Sequence, residues 1–422
     1  MQLKRRIAAS LLFAFSFLIA LAWTHRVLGD DSHSEESDGG DADAESDAGP
    51  AKPRLEDTTR KRATLETAGY IDSDNVAVFT PSVTASVANV TSGASLTGSY
   101  LVDIVSAASP DIVATASRRW QEVRQAGALS AAYKPHEFGL NLAASFSNEP
   151  DYLSYGGGGG FSKDFDEKNW TLSFGFGYSH DTIGRHGTPF SVFSREVNRG
   201  SFQGGLAWVV NPTTLAGIVA DVVVENGDQS KPYRYIPMFA PSVAAQAPLG
   251  ASLDWVTANR LPERPLEQLP LTRRRFALSL RLAHRFDFST LKLDERLYLD
   301  TWALFASTTD ARWTFDVGKR FSFGPHARFH VQKGVAFWQR AYAAAPAPQW
   351  NLPEFRTGDR EEGPLWTVTG GLGTAVYLGG SSEPSSWALK LQFDGMYTSF
   401  LDDIYVSSRS GAIGTLSVEA EL

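Results

Sequence analysis

Ionisable side chains alternate with apolar ones along residues 273–305. In this chain of 422 residues, they are the side chains best placed to interact with a dissolved ion or small molecule. The set contains five cations and three carboxylates: Arg275, Arg281, Arg285, Lys292, Arg296, Asp287, Asp294 and Asp300. Facing a water-filled channel, such a cation-rich wall would favour anionic solutes. The same residues could instead pair as a ladder of salt bridges that stiffens the wall. Two further polar positions, Lys390 and Asp394, complete the predicted pore-lining set.

Histidine and aspartate near residue 180 suggest a second kind of chemistry. His180, Asp181 and His186 could form a hydrolytic dyad or bind a metal ion. A third ligand or a nucleophile in a recognisable context is missing, and neither G-x-S-x-G nor H-E-x-x-H occurs in the chain. His326 and His330, which share one face of a predicted strand, are interpreted in the same way. We therefore predict no catalytic, cofactor-binding or metal-binding residue, and we expect that the protein is not an enzyme.

The longest predicted loop, residues 227–272, is rich in proline and aromatic residues. Its segment from Lys231 to Pro237 interleaves basic and aromatic side chains, and the preceding residues from Gly227 lack the spacing of a phosphate-binding loop. Loops of this length are usually functional or disordered. We predict one of three arrangements: a compact cap, a constriction folded into the channel, or an external loop packed on the rim.

The elements that must position these residues are β-strands, because apolar and polar residues alternate from about residue 62 onward. Between Trp170 and Tyr178, for example, Trp, Leu, Phe and Tyr alternate with Thr, Ser and Gly. This period of two does not fit a helix. The predicted strands cover about 62–71, 76–89, 94–106, 118–133, 137–147, 152–164, 169–180, 199–210, 213–226, 273–287, 290–305, 308–319, 326–341, 364–379, 386–399 and 411–422.

Two charged residues and one glycine run interrupt the alternation. Glu295 and Lys333 fall on apolar faces, where we expect them to mark membrane edges or β-bulges. The run from Gly156 to Gly160 is poor strand material unless another segment packs closely against it.

Strand length and loop placement favour a membrane barrel over a soluble sandwich, although alternation alone does not distinguish the two. Many predicted strands exceed the roughly 9–11 residues that a tilted strand needs to cross a bilayer. The five longest gaps, near 107–117, 181–198, 227–272, 342–363 and 400–410, all have odd numbers in the series of connections. Long loops on one side and short turns on the other are typical of outer-membrane barrels.

Aromatic residues near strand ends support the same interpretation. They fit an interfacial girdle. The predicted girdle residues are Trp170, Trp208, Trp302, Trp338, Trp366 and Trp387. The final residue, Leu422, departs from the aromatic residue that usually ends an outer-membrane barrel.

The first 61 residues indicate export followed by a spacer. Three basic residues, at 4–6, precede an apolar stretch that ends at Trp23, which predicts a signal peptide over residues 1–29. An uncleaved anchor is the alternative, because the apolar stretch is slightly long. Residues 30–51 carry nine acids, no base and no apolar side chain larger than that of Ala. We therefore predict an acidic, disordered spacer over residues 30–61.

The composition excludes several classes of protein. The chain has no Cys, which excludes disulfides, thiol catalysis and cysteine metal sites. Only one apolar run approaches the roughly 18 residues of a membrane helix, so a polytopic helical membrane protein is excluded. The formal charge of −8 comes mostly from the acidic spacer, and the nearly neutral remainder gives no indication of nucleic-acid binding.

Several blocks of sequence carry a family resemblance. They are Tyr100–Asp103 with Val105–Pro110, His180–Gly184, Gly227–Tyr235 and Leu261–Pro265. Over residues 60–422 the chain resembles an uncharacterised family of bacterial outer-membrane β-barrels known only as a domain of unknown function. The resemblance implies a Gram-negative outer-membrane β-barrel and supplies no reaction, ligand or catalytic residue.

Together these observations predict an all-β protein, a transmembrane antiparallel β-barrel of about sixteen strands over residues 62–422, in the bacterial outer membrane. Its predicted role is the porin-like passage of small polar or anionic solutes. The alternatives are a filled, non-conducting barrel that acts as a scaffold for an envelope complex and, third, an outer-membrane hydrolase. Outer-membrane lipid, the barrel-insertion machinery and envelope proteins are the expected partners, with no nucleic acid and no cofactor.

Overall fold

The computed structural model describes residues 59–107, 120–344, 351–379 and 386–422. The predicted signal peptide and most of the predicted acidic spacer lie outside these residues. No helix in the described part of the chain is long and apolar enough to cross a bilayer.

Sixteen long strands close into a single antiparallel barrel, which confirms the predicted fold class and strand number. They are β1 (Thr59–Asp72), β2 (Val76–Asn89), β3 (Ala94–Ala107), β4 (Trp120–Tyr133), β5 (Phe138–Glu149), β6 (Tyr152–Phe165), β7 (Trp170–Ile183), β8 (Arg195–Asn211), β9 (Thr214–Gly227), β11 (Thr272–Arg285), β12 (Ser289–Asp300), β13 (Phe305–Val317), β14 (Phe321–Lys333), β16 (Leu365–Leu378), β17 (Ser386–Phe400) and β18 (Ser408–Glu421). Each barrel strand pairs with the barrel strands before and after it in the chain. The ring closes where β1 pairs with β18, in a register that runs from Arg62 opposite Glu421 to Asp72 opposite Gly411.

Five short elements of the described chain lie outside the barrel wall. They are a parallel pair of two-residue strands, β10 (Met238–Phe239) and β15 (Tyr342–Ala343), two α-helices, α1 (Pro241–Ala244) and α2 (Leu253–Asn259), and a 3-10 helix over Arg360–Glu362. Helix α2 begins after Ser252, whose hydroxyl accepts a hydrogen bond from the amide of Trp255, as N-cap serines do.

Two predicted strands extend too far. The strand predicted over 290–305 ends at Asp300, because the carboxylate of Asp300 accepts hydrogen bonds from the amides of Trp302 and Leu304 and folds a turn. The strand predicted over 326–341 occupies Phe321–Lys333 instead. The residues that follow it leave the barrel wall to pack in a loop, so their apolar character reflects burial in that loop.

Apolar side chains cover the outside of the barrel and polar ones face its interior. Leu142, Phe176 and Phe393 are 68%, 55% and 58% exposed, although each lies in the middle of a strand. Their neighbours along the strand point inward and are small or polar. A water-soluble sandwich would bury such large side chains, whereas a barrel that spans a bilayer presents them to hydrocarbon. The predicted orientation of the two faces is confirmed.

The long connections in the described residues lie at one end of the barrel, as predicted, whereas the predicted gap 107–117 lies almost entirely outside those residues. This end, which we call the external end, carries the connections 184–194, 228–271, 334–364 and 401–407. The same end also carries the short turns 73–75, 150–151 and 301–304. The other end carries short turns, among them 90–93, 134–137, 166–169, 212–213, 286–288 and 318–320.

The glycine run in β6 is a regular strand whose neighbours approach closely. A Cβ atom on Gly158 would lie 2.4 Å from the carbonyl oxygen of Phe176, and one on Gly160 would lie 2.5 Å from that of Phe174. No side chain fits at these positions without moving the neighbouring backbone. The close contact that the sequence required is therefore supplied by β7, the next strand of the wall.

Candidate functional site

The predicted pore-lining residues are distributed over the inner wall of the barrel, with one exception. On β11 the outward residues Leu278, Leu280 and Leu282 are 40%, 45% and 41% exposed, so the residues between them face the lumen. The pairing of the strands places nine predicted residues on the inner face: Arg275, Arg281, Arg285, Lys292, Asp294, Arg296, Asp300, Lys390 and Asp394. Asp287 instead lies in the turn between β11 and β12.

Most of these charges are paired across the wall. The distances between the charged atoms are 2.8 Å for Arg275–Glu225, 3.3 Å for Arg281–Asp294, 2.5 Å for Arg285–Asp316, 3.3 Å for Arg296–Asp221 and 2.7 Å for Lys390–Glu419. The inner wall is thus a ladder of ion pairs, the second of the two arrangements that the sequence left open. Because several of these side chains remain partly exposed, the ladder also presents charge to the lumen.

Eight charged or titratable side chains form a continuous patch at mid-height, which we call the central charged cluster. Its members are Arg281, Lys292, Asp294, Asp310, Arg312, His326, Arg328 and Asp394. They are joined by direct register: Lys292 lies opposite Arg312, which lies opposite His326. Lys292 and Arg328 are exposed, and Arg312 is 60% exposed. The cluster therefore combines an excess of basic groups with access to water.

The opposite side of the lumen is lined by small residues. Their inward positions on β4 to β8 include Ala126, Ala128, Ser130, Ala143, Ser145, Gly156, Gly158, Gly160, Gly175, Gly177, Ser201 and Gly205. Side chains of this size leave the space in front of them open to water or to a solute. These small residues thus face the charged wall across the lumen, and ion pairs on their own side, such as Arg124 with Asp103 and Arg199 with Asp181, lie toward the external end.

The 228–271 loop folds with its neighbours as a compact cap on the external end. The cap consists of residues 228–271, 334–344, 351–364 and 401–407. Its apolar clusters contain Ile236, Met238, Tyr342 and Ala344, then Phe239, Ala251, Val256 and Ile404, and finally Leu269, Trp302, Leu304 and Val335. Of the three arrangements predicted for this loop, the structure shows the compact cap.

Two predicted girdle residues, Trp302 in the turn after β12 and Trp338 in the cap, are packed inside the protein and do not lie at the membrane interface. Trp302 is 4% exposed and donates its indole N–H to the carbonyl of Thr272. Trp338 donates to the carbonyl of Asp402 at 2.8 Å. Their position at strand ends resembled an interfacial girdle, but each N–H is satisfied inside protein.

Buried ion pairs fasten the cap to the strands beneath it. Arg273, on the inner face of β11, contacts Asp300 at 2.5 Å and Glu362 of the cap at 2.9 Å. Within the cap, Arg234 lies 3.0 Å from Glu267 and 3.1 Å from Asp359. All six side chains are largely buried, so each charge depends on its partners.

The cap also reaches strand connections elsewhere on the rim. Arg360 contacts Asp74, in the turn after β1, at 2.7 Å, and both are almost fully buried. Glu361 contacts Arg409 of β18 at 3.0 Å. Within the cap, the backbone amide of Gly250 donates to the carbonyl of Asp403 and joins two of its segments. The cap is therefore anchored at several points of the ring.

Tyrosine hydroxyls add further anchors. The hydroxyl of Tyr233 donates to Asp151 at 2.7 Å and accepts from the amide of His186. Burial, together with the adjacent Asp151 carboxylate, raises the pKa of Tyr233 above its ordinary value. Burial also raises the pKa of Tyr342 to about 12, which keeps its hydroxyl protonated as a donor to the carbonyl of Phe337.

The barrel wall separates His180 from Asp181, so they cannot act as a dyad. Both lie in β7, and alternate residues of a strand point to opposite faces. His180 faces outward, where its Nδ1 lies 2.9 Å from the side-chain oxygen of Asn198. Asp181 is fully buried inside, where it accepts from the Ser154 hydroxyl at 2.7 Å and contacts Arg199. His186 lies in the following loop.

Three buried carboxylates, Glu122, Glu149 and Asp151, lie together at the external end. Their oxygens come within 4.8 Å of one another, and no other part of the described chain brings three such groups so close. Carboxylate oxygens are the ligands that Ca²⁺ prefers. Sequence analysis did not identify this group, because its members come from β4, from the end of β5 and from the turn that follows β5.

Glu295 is an outward-facing carboxylate in the middle of β12. It contradicts the expectation of a membrane edge or bulge, because the strand is regular on both sides of it. The hydroxyls of Ser307 and Thr309, on the outer face of β13, donate to its two oxygens at 2.6 and 2.5 Å. Lys333 does lie at an edge, as the last residue of β14.

The carboxylates that pair with the predicted cations were missed by sequence analysis. They are Asp221, Glu225, Asp316 and Glu419, on β9, β13 and β18. The alternating pattern could have identified these carboxylates, because each lies at a position of its strand that belongs to the polar face.

Comparison with known proteins assigns the chain to a family but not to a function. Residues 50–386 match the family described as Protein of unknown function (DUF3570). None of the curated proteins matches the chain in sequence.

Several solved structures are similar to this chain at low sequence identity. The ferric enterobactin receptor PfeA is 9% identical, with a TM-score of 0.39 over 80% of this chain and 54% of the receptor. A bacterial polysaccharide outer membrane secretin is 10% identical, with a TM-score of 0.41 over 86% of this chain and 98% of the secretin. OccK11 (OpdR) of Pseudomonas aeruginosa is 12% identical, with a TM-score of 0.39 over 86% of this chain and 96% of its own. The chain thus spans about half the length of the receptor.

Proposed function

The chain belongs to the family of unknown function DUF3570, and we propose that it is a bacterial outer-membrane channel for small polar solutes, with a modest preference for anions. The preference is supported by the central charged cluster, whose basic side chains outnumber its carboxylates and face the lumen. Passage is supported by the small residues on the opposite wall. Residues 1–29 act as the export signal in this proposal, and the barrel-insertion machinery and outer-membrane lipid are the partners.

The observation that carries the proposal is the contrast between the two faces of the same strands. Exposed apolar side chains outside require lipid, and the charged cluster inside requires water. A barrel of sixteen strands is wide enough to hold an aqueous channel unless other segments fill it.

Conductance of the purified protein in planar bilayers tests this proposal. We expect discrete conductance steps. In a salt gradient, we expect a reversal potential that is displaced toward the equilibrium potential of the anion. Folded protein that inserts but never conducts would overturn the proposal, and so would a clear cation preference at acidic pH.

A filled, non-conducting scaffold for an envelope complex is the second candidate, and the cap favours it. Several buried ion pairs hold the cap on the external end, as a permanent closure would require. A variant that replaces residues 234–266 with a short Gly/Ser linker distinguishes the two. If the protein is a channel that the cap narrows, this variant should have a higher conductance. If it is a scaffold with a filled lumen, the variant should show no conductance.

A further inference from the structure

We propose that Asp310, His326 and Asp394 form a proton-controlled selectivity element in the lumen wall. When His326 loses its proton, the preference of the channel for anions falls. This inference rests on the proposed function, since it requires a conducting lumen.

The geometry around His326 requires two donors on one imidazole ring. Its Nδ1 lies 2.6 Å from a carboxylate oxygen of Asp394, and its Nε2 lies 3.0 Å from one of Asp310. Ionised carboxylates only accept hydrogen bonds, and a neutral imidazole donates only one. Both contacts are therefore hydrogen bonds only when the ring is a protonated imidazolium. Loss of the proton leaves one carboxylate without its donor.

Neighbouring residues fix this geometry from both sides. Gln392 donates its amide to the second oxygen of Asp394 at 2.9 Å. Gly371, directly opposite Asp394, leaves room for it, because a Cβ there would lie 2.0 Å from the carboxylate oxygen. Arg312 lies 3.4 Å from the other oxygen of Asp310. The two carboxylates are thus held in place. What changes with pH in this element is whether His326 carries a proton on both ring nitrogens.

Charged groups from every neighbouring strand face this element. Besides the three residues themselves, they are Lys292 and Asp294 on β12, Arg312 on β13, Arg328 and His330 on β14, and Lys390 on β17. On β16 the facing positions, Thr369 and Gly371, carry no charge.

The proton changes the charge balance of the central charged cluster. With His326 protonated, the cluster has five cationic and three anionic side chains, and with His326 neutral it has four and three. One elementary charge about 10 Å from a permeating ion in water changes its local concentration on the order of two-fold. A falling anion preference with rising pH is the expected result.

Reversal potentials measured in a salt gradient at a series of pH values test the proposal. The range is about pH 5 to about pH 9, which spans the ordinary histidine pKa of about 6.5. We expect the ratio of anion to cation permeability to fall on the order of two-fold as pH rises. In His326→Gln this change should disappear. In the control His330→Gln it should persist, because His330 bonds the hydroxyl of Thr308 and the amide oxygen of Gln332.

A second variant tests the proposal in case His326→Gln does not fold. Asp394→Asn keeps the shape of the side chain and removes one acceptor charge, so it should raise the anion preference and move the pH-dependent change to lower pH. Conductance with a pH-independent permeability ratio would overturn this inference alone. The complete absence of conductance would instead overturn the proposed function. A pH response that survives in His326→Gln would assign the effect to another group and reject the role of His326.

Discussion

At the scale of single residues, polar groups on the outer wall need local partners, because lipid offers none. Glu295 lies at mid-strand among exposed apolar side chains, and its oxygens are satisfied by Ser307 and Thr309 of the adjacent strand. A carboxylate at that depth without donors would be costly. The two hydroxyls therefore compensate for an acid that the alternating pattern does not predict.

Removing these hydroxyls should destabilise the barrel. We expect the double variant Ser307→Ala, Thr309→Val to lose about 1–3 kcal/mol of unfolding free energy in lipid vesicles, because the carboxylate is left without donors. Adding Glu295→Leu to the same background should restore most of that loss. A thermodynamic cycle measured by urea unfolding gives the coupling. Additive effects would show that the three side chains do not act together.

The glycine run gives a second prediction at this scale. Gly158→Ala should destabilise the barrel by roughly 1–3 kcal/mol, because its new Cβ would meet the backbone carbonyl of Phe176 at 2.4 Å. Gly157→Ala is the matched control, since its Cβ would lie an ordinary 3.5 Å from the nearest atom. The comparison uses urea unfolding of both variants. Equal stabilities would contradict the steric argument.

At the scale of elements, the strands could be predicted and the cap could not. A period of two is a local property, so fourteen residues such as those of β9 reveal both the strand and its inward face. The cap depends on contacts between segments far apart in sequence, such as Arg273 with Glu362 or Arg360 with Asp74. No local pattern encodes such a pair. For the same reason, the sequence identified the basic residues of the inner wall but not which carboxylate neutralises each.

Arg273 connects the cap to the barrel, and its removal should loosen the cap. In Arg273→Ala the buried carboxylates of Asp300 and Glu362 lose their guanidinium, a loss of about 3–5 kcal/mol for a buried pair. We expect external protease to cut the cap faster while the strands remain protected. Arg274→Ala, which changes an exposed outward residue on the same strand, is the control. Equal cleavage of the two variants would contradict this role of Arg273.

At the scale of the whole molecule, the inside of the barrel is asymmetric. On β9 to β14 the ion pairs of the inner face reach the middle of the strands, whereas the middle of β4 to β8 carries small side chains. A solute would therefore meet charge on one side and open space on the other. This arrangement lets a single titrating residue, His326, alter the field in the lumen without any strand having to move.

The pairing of β1 with β18 has a consequence for assembly. The first barrel strand gains its second neighbour only when the last barrel strand docks beside it. Until then, both borders of the growing sheet carry amide and carbonyl groups that hydrocarbon cannot satisfy. A sheet without β18 therefore keeps two open edges, and closure of the ring is the step that makes the wall compatible with hydrocarbon.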